Sequence, residues 1–311
     1  MKNPSFSVIA PVYGVEKYIA EFADSLFGQT YSDIQFIIVN DGTKDSSIEV
    51  LQSLIDARYS HLADRIIIVN KDNEGLPAAR RTGMEYATGD YVLHVDSDDW
   101  LDVTLFEKLA RKAEETDSDV IYFDFYKEYG HRSKKDVERD YTAADKMKFI
   151  HGLFNYKAYG YVWNKCVKRK VYEENEIFFA PYGMHEDIYQ MSQLIFHADS
   201  LTHLNDALYH YRRTNPGSIS TSSRVNRRKA SVMNMLDLYE KFKDDLQNSP
   251  IRDVTGEILY RSAWLSLRYG FGFLESYPYL IPDLKKLMPS FRNKTFILWQ
   301  LFVWLYLKVK Y

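Results

Sequence analysis

Tyr91-Val92-Leu93-His94-Val95-Asp96-Ser97-Asp98-Asp99 is a short, mostly apolar run that ends in three carboxylates within four positions. The run reads as a buried strand, because continuous apolar segments of this length bounded by polar turns suit a strand covered on both faces. Three carboxylates so close repel one another and lose solvation when buried. Their placement at a strand end points to a divalent cation held by hard oxygen ligands, magnesium or manganese, which would bridge to substrate phosphates. An acidic turn capping a helix that begins near Leu101 accounts for the tetrapeptide equally well. A calcium loop fits less well, because the spacing D-x-[DN]-x-[DN]-G is absent.

The segments before and after this turn alternate strand and helix. Residues 6–12, 34–39, 66–69 and 120–123 are further β-branched or aromatic runs. Between them, Ile19, Phe22, Ala23 and Leu26 fall at i, i+3, i+4 and i+7, one face of a helix. Ser46 and Glu49 have the spacing of a capping box ahead of Leu51, Leu54 and Ile55. Stretches around 78–87 and 105–113 are also helical in pattern. This order predicts an α/β fold, a mostly parallel Rossmann-like sheet flanked by helices.

In such sheets ligands bind beyond the carboxyl ends of the strands, and polar residues gather there: Tyr13-Gly14-Val15-Glu16, Asn40-Asp41-Gly42-Thr43-Lys44-Asp45, Asn70-Lys71-Asp72-Asn73-Glu74-Gly75 and the acid turn itself. An aromatic ring such as Tyr13 can stack on a base, and a carboxylate such as Asp41 can accept an imino proton; taken alone, the loop around Asp41 is also an ordinary turn and helix cap. Neither a G-x-G-x-x-G fingerprint nor a Walker lysine loop is present, which argues against a nicotinamide dehydrogenase and an NTPase. Beyond 126 the pattern loosens. It becomes helical again at Val232, Met235, Leu236 and Tyr239 and over 258–273, so a catalytic domain over 1–228 and a helical module over 229–311 are expected.

The chain has 311 residues, 46% hydrophobic and 27% charged, enough for a large core. Forty basic and forty-three acidic side chains give a net charge of −3, so nucleic acid is not an expected partner. The single cysteine, Cys166, excludes an internal disulfide and a four-cysteine zinc site and suits a reducing compartment. No signal-peptide pattern is visible at Met1 to Phe6, and no run approaches ~18 apolar residues, so a cytoplasmic location is expected.

Five segments in order, Ser7-Val8-Ile9-Ala10-Pro11-Val12-Tyr13, Val39-Asn40-Asp41-Gly42-Thr43-Lys44-Asp45-Ser46, Asn73-Glu74-Gly75-Leu76-Pro77-Ala78-Ala79-Arg80, Gly89-Asp90-Tyr91-Val92 and Asp96-Ser97-Asp98-Asp99, resemble the family 2 glycosyltransferases of GT-A fold. The likeness extends to Tyr161-Val162-Trp163-Asn164-Lys165, His185-Glu186-Asp187, and Tyr209-His210-Tyr211-Arg212 with Gly217-Ser218-Ile219. It implies that Pro11, Tyr13, Glu16 and Asp41 line a nucleoside pocket, with Arg80 near the base or diphosphate. It implies that Asp96 contacts ribose, that Ser97 belongs to the donor-binding turn, and that Asp98 binds Mn2+ or Mg2+. It places the catalytic base at Glu186-Asp187, with Asp187 favoured; the residues alone would be read as the start of an amphipathic helix. His210, Arg212 and Arg213 are expected near the departing diphosphate, with His210 a further metal-ligand candidate. Trp163 and Lys165 are expected on the acceptor or donor side, with core packing the alternative for Trp163.

The activity implied is inverting transfer of a hexose or N-acetylhexosamine from a nucleotide sugar, UDP-linked, to a glycan or lipid-linked glycan in bacterial capsule, exopolysaccharide or lipopolysaccharide assembly. A non-catalytic glycan-binding protein and a sugar nucleotidyltransferase are the alternatives, and a homo-oligomer stays open. Residues 296–307 form a twelve-residue aromatic and aliphatic run, ~18 Å long as a helix against a hydrocarbon core of ~30 Å. Lys285, Lys286, Arg292, Lys294, Lys308 and Lys310 flank it with no acid from 284 onward. That combination predicts a segment lying on the cytoplasmic membrane face; a buried helix or a subunit contact is the alternative.

Overall fold

The computed structural model describes residues 3–154, 156–183, 185–218, 230–238 and 240. The stretches 258–273 and 296–307, the basic residues around the latter, Tyr239 and Ile219 lie outside the described residues. The chain divides into two compact units, Met1–Gly183 with Gln190–Thr221, and Met184–Tyr189 with Ser222–Tyr311. The sequence reading cuts the chain once, at 228; the second compact unit takes in 184–189 and resumes at Ser222.

The first unit is built on one sheet. Strands β1 (Phe6–Val12), β2 (Ile34–Asp41), β3 (Ile66–Lys71) and β4 (Tyr91–His94) run parallel in the order β3-β2-β1-β4. Every residue of β1 is buried, as expected for a strand hydrogen-bonded on both edges and covered on both faces. The helices α1 (Ile19–Phe27), α2 (Ser47–Arg58), α3 (Leu76–Met84) and α4 (Leu105–Thr116) follow successive strands. Helix α1 buries Ile19, Phe22, Ala23, Leu26 and Phe27, the face read from its spacing. Helix α3 approaches β1 closely because Gly83 has no side chain; a Cβ there would lie 2.3 Å from Ile9 Cγ2.

The expected capping box does not form. The Ser46 side chain makes no cap bond at the start of α2. Its amide instead donates to Glu16 Oε2 at 2.9 Å, and Ser47 Oγ and amide both bond to Asp45 Oδ1, at 2.5 and 3.2 Å. The loop's donors are drawn toward neighbouring carboxylates, leaving Glu49 no reciprocal role.

The remaining strands are β5 (Trp100–Leu101), β6 (Val120–Glu128), β7 (Ser133–Asp136), β8 (Lys165–Lys168) and β9 (Leu201–Arg212). They extend the sheet from β4 as β8-β6-β9-β5, with β7 paired to β6. Strand β8 is antiparallel to both β4 and β6, β9 is parallel to β6, and β5 is antiparallel to β9. Helices α5 (Lys146–Phe154) and α6 (Arg169–Glu174) come from the stretch where the sequence pattern loosens, and α7 (Glu186–His197) begins at the Glu186-Asp187 pair, where the residues alone suggest a helix start. The β5 to β9 pairing sets Trp100 opposite His210 and Leu101 opposite Tyr209, and so fastens the end of β9 beside the acid turn.

Candidate active site

Three loops at the carboxyl ends of β1, β2 and β3 are bonded into one rim. The amides of Gly14, Val15 and Glu16 donate to Thr43 Oγ1, Ser47 Oγ and Asp45 Oδ2 at 2.8, 3.1 and 3.0 Å. Burial pushes the Asp45 carboxyl up, but the hydrogen bonds from Ser47, Thr43 and the Glu16 amide outweigh it and hold the group below the ordinary aspartate range. Asp41 joins the third loop to the second. Its Oδ1 accepts from Lys71 Nζ and the Glu74 amide, both at 3.0 Å, and its Oδ2 from the Gly75 amide at 2.8 Å. The turn after Asp41 needs Gly42, which has φ +65° and whose Cβ would lie 2.8 Å from the Asn73 amide nitrogen. Tyr13, by contrast, stands out from the rim at 53% exposure, with a face that a flat ring can cover.

The acid turn follows β4. Ser97 Oγ donates to the Pro11 carbonyl at 2.6 Å, which ties the turn to β1. Asp96 pairs with Arg80 at 2.8 Å. Asp98 Oδ2 accepts from Asn215 Nδ2 at 2.7 Å. Asp99 is buried, and its two oxygens accept from Tyr209 Oη at 2.8 Å and the Arg212 amide at 2.7 Å. Tyr209 Oη in turn accepts from the Asp96 amide at 3.0 Å, so one hydroxyl holds both ends of the turn. Burial, and after it the charge of Asp96, raises the Asp98 carboxyl above the ordinary range. Burial, then Asp98 and Asp96, raises Asp99 much further.

This donor set fits a small hard divalent cation. The carboxylates are oxygen ligands only, and their mutual repulsion is what a bound positive charge would relieve. Among the described residues no three His, Cys, Asp or Glu side chains gather into a metal site, and Asp98, partly exposed at the turn, is the residue that would hold such an ion.

Several expected residues are placed differently. Arg80 is only 2% exposed and lies behind Asp96, where it fixes that carboxylate instead of facing a base or diphosphate. His210 stacks between Trp100 and Tyr126, at 5.0 and 5.1 Å between centroids, with Nδ1 on Glu128 at 2.8 Å. It is held as a packed ring and belongs to no group of metal ligands among the described residues. Trp163 and Lys165 do not face substrate, because both are buried. Trp163 stacks on Tyr161 and Tyr209 at 4.5 and 4.3 Å. Lys165 Nζ donates to Asn164 Oδ1 at 2.6 Å and lies 3.5 Å from Glu138.

Arg212 lies beside the turn: its Nε donates to the Asp98 carbonyl at 2.7 Å, it pairs with Glu21, and its guanidinium lies over Tyr18 and Trp100 at 4.8 and 4.5 Å. Arg213 is exposed and covers Tyr211 at 5.0 Å. Glu16 is part of the loop rim. Glu186 and Asp187 form the first turn of α7, both partly exposed, and Asp187 Oδ1 accepts from the Ile188 amide at 2.9 Å. Asp45, Tyr209 and Asn215 are residues to which the sequence assigns no role; Asp45 and Tyr209 lie in the quoted motifs, but a tyrosine in a strand carries no mark of the carboxylate it will meet.

Residues 7–178 match the family described as Glycosyl transferase family 2. EpsH of Bacillus subtilis (strain 168), a protein designated a glycosyltransferase, is 32% identical over 77% of this chain and 68% of its own length. Among solved structures, S. aureus TarS 1-349 in complex with UDP-GlcNAc is similar with a TM-score of 0.64 and 20% identity, covering 91% of this chain and 80% of that one. The mannosyltransferase PcManGT from Pyrobaculum calidifontis, in complex with GDP-Man and Mn2+, is similar with a TM-score of 0.54 and 15% identity, over 100% of this chain and 87% of the other. The chain belongs to glycosyl transferase family 2 and is a glycosyltransferase of GT-A fold.

Proposed function

We propose that this chain moves a hexose or N-acetylhexosamine from a UDP-linked donor to a hydroxyl of a glycan or lipid-linked glycan, with inversion at the anomeric carbon. The observation that carries the reading is the exposed Tyr13 ring on a bonded rim at the strand ends that also present the Asp96 to Asp99 turn. Tyr13 stacks on the base, Asp96 is held by Arg80 for the ribose, and Asp98 faces the diphosphate. Asp98 would hold Mn2+ or Mg2+, and the bound ion would neutralise charge on the leaving diphosphate. Asp187 takes the proton of the acceptor hydroxyl as the oxygen attacks. The UDP and UDP-GlcNAc complexes of TarS support the choice of nucleotide, and the mannosyltransferase with Mn2+ supports the metal.

A screen of nucleotide sugars for released nucleoside diphosphate tests this. Turnover of one donor with Mn2+ or Mg2+ is expected, abolished by EDTA and reduced by at least 100-fold in Asp98→Ala and in Asp187→Ala. Full turnover in EDTA, or in either variant, overturns the corresponding assignment.

A further inference from the structure

The acid turn and the Glu186-Asp187 pair are counted with different compact units: the turn with the first, and residues 184–189 with the second. Within the second unit the segment is held from both sides. His185 precedes the pair with φ +57°, the left-handed region that costs a side-chain-bearing residue energy unless its surroundings impose it. Its Nδ1 shares a 2.5 Å hydrogen bond with Ser231 Oγ, and Ser231 is buried. Tyr189, also buried, follows the pair and donates to Asp237 Oδ2 at 2.5 Å. The Tyr189 amide donates to the His185 carbonyl at 3.1 Å, closing the turn that contains Glu186 and Asp187. Ser231 and Asp237 both lie in the helical residues 230–238, six positions apart.

We propose that Ser231 and Asp237 are positioning residues for catalysis: through His185 and Tyr189 they clamp the helical turn that carries Asp187. The inference rests on the reading of Asp187 as base. A helix start frays unless its amides find partners, and a base displaced by about 1 Å loses on the order of 100-fold in rate. The left-handed His185 is the lever. It turns the chain into α7, and the Ser231 bond fixes a backbone state the residue would otherwise leave.

Two measurements on the full chain decide it. Hydrogen exchange is read first, because it needs no substrate. Ser231→Ala should speed exchange at the amides of residues 186–189 by at least tenfold and leave residues 96–99 unchanged; Ser231→Thr should restore the slow rate. His185→Gly accepts the left-handed backbone but has no imidazole, so it should exchange as fast as Ser231→Ala. Unchanged exchange in both overturns the clamp. Turnover of the donor found in the screen is read second. Ser231→Ala should lower kcat at least tenfold with the Kd for UDP unchanged, whereas equal losses in UDP affinity would mean a general structural defect and overturn the positioning role. If Asp187→Asn keeps full turnover, the base reading fails. If it is inactive while Ser231→Ala and His185→Gly match the wild type, the clamp alone fails.

Discussion

Tyr13 and Tyr209 put the same side chain in opposite settings at the strand ends. Tyr13 is exposed and contributes a ring face; Tyr209 is buried and contributes a hydroxyl. Stacking of a base on an aromatic ring is worth about 1–3 kcal/mol, so Tyr13→Ala should weaken UDP binding by roughly 5- to 150-fold in calorimetry, with the melting temperature unchanged. Burial, and then the charges of Asp99 and Asp96, push the Tyr209 hydroxyl up, so it remains a proton donor across the working range. Tyr209→Phe removes the donor to a buried carboxylate and the acceptor of the Asp96 amide together. It should cost about 1–3 kcal/mol and lower the melting temperature measurably in a thermal shift assay, while also weakening UDP binding. Sequence marks the first role and hides the second. An aromatic at a strand end advertises itself, whereas the partner of Asp99 lies 110 positions away and is found only when β9 is placed.

At the level of elements, the parallel block was legible because each strand there is a continuous apolar run and each helix repeats at 3.6 residues. The strands that close the site were not. Strand β8 reads Lys-Cys-Val-Lys, yet all four residues are buried, and its lysines meet Asn164, Glu138, Asp117 and Asp119 there. No local pattern announces such pairings. Trp163 takes the packing alternative that its sequence left open, and Lys165 is buried beside Asn164 and Glu138, a setting its own segment does not announce. The contact between α3 and β1 offers a sharp test. Gly83→Ala gains up to about 1 kcal/mol in helix propensity but drives a methyl to 2.3 Å from Ile9. Overpacking of about 1–3 kcal/mol should win, and the variant should unfold at lower urea than the wild type. A stabilised variant would mean that α3 can shift away from the sheet at little cost.

For the molecule as a whole, the net charge of −3 gives no reason to expect nucleic acid as a partner and names no acceptor. Among the described residues no helix is long and apolar enough to cross a membrane. The basic, aromatic-rich residues 284–311 remain the sequence's own argument for a lipid surface. A chain ending at residue 295 should lose binding to vesicles containing anionic lipid while keeping its affinity for UDP; undiminished sedimentation with those vesicles would refute peripheral attachment through this segment. High salt should weaken the binding of the full chain, because part of the attraction is electrostatic.

The acid turn is finished by residues that arrive late. Tyr209, Arg212 and Asn215 reach back across 110 to 117 positions to Asp96, Asp98 and Asp99, after the whole parallel block has been made. During synthesis the first four strands and their helices can therefore assemble while the carboxylates still lie in water, hydrated and unstrained. Only when β9 leaves the ribosome and inserts between β6 and β5 are those charges drawn inside. A nascent chain halted before residue 201 would thus be a folded core without donor affinity, and a polypeptide spanning β9 supplied in trans would be the piece that confers it.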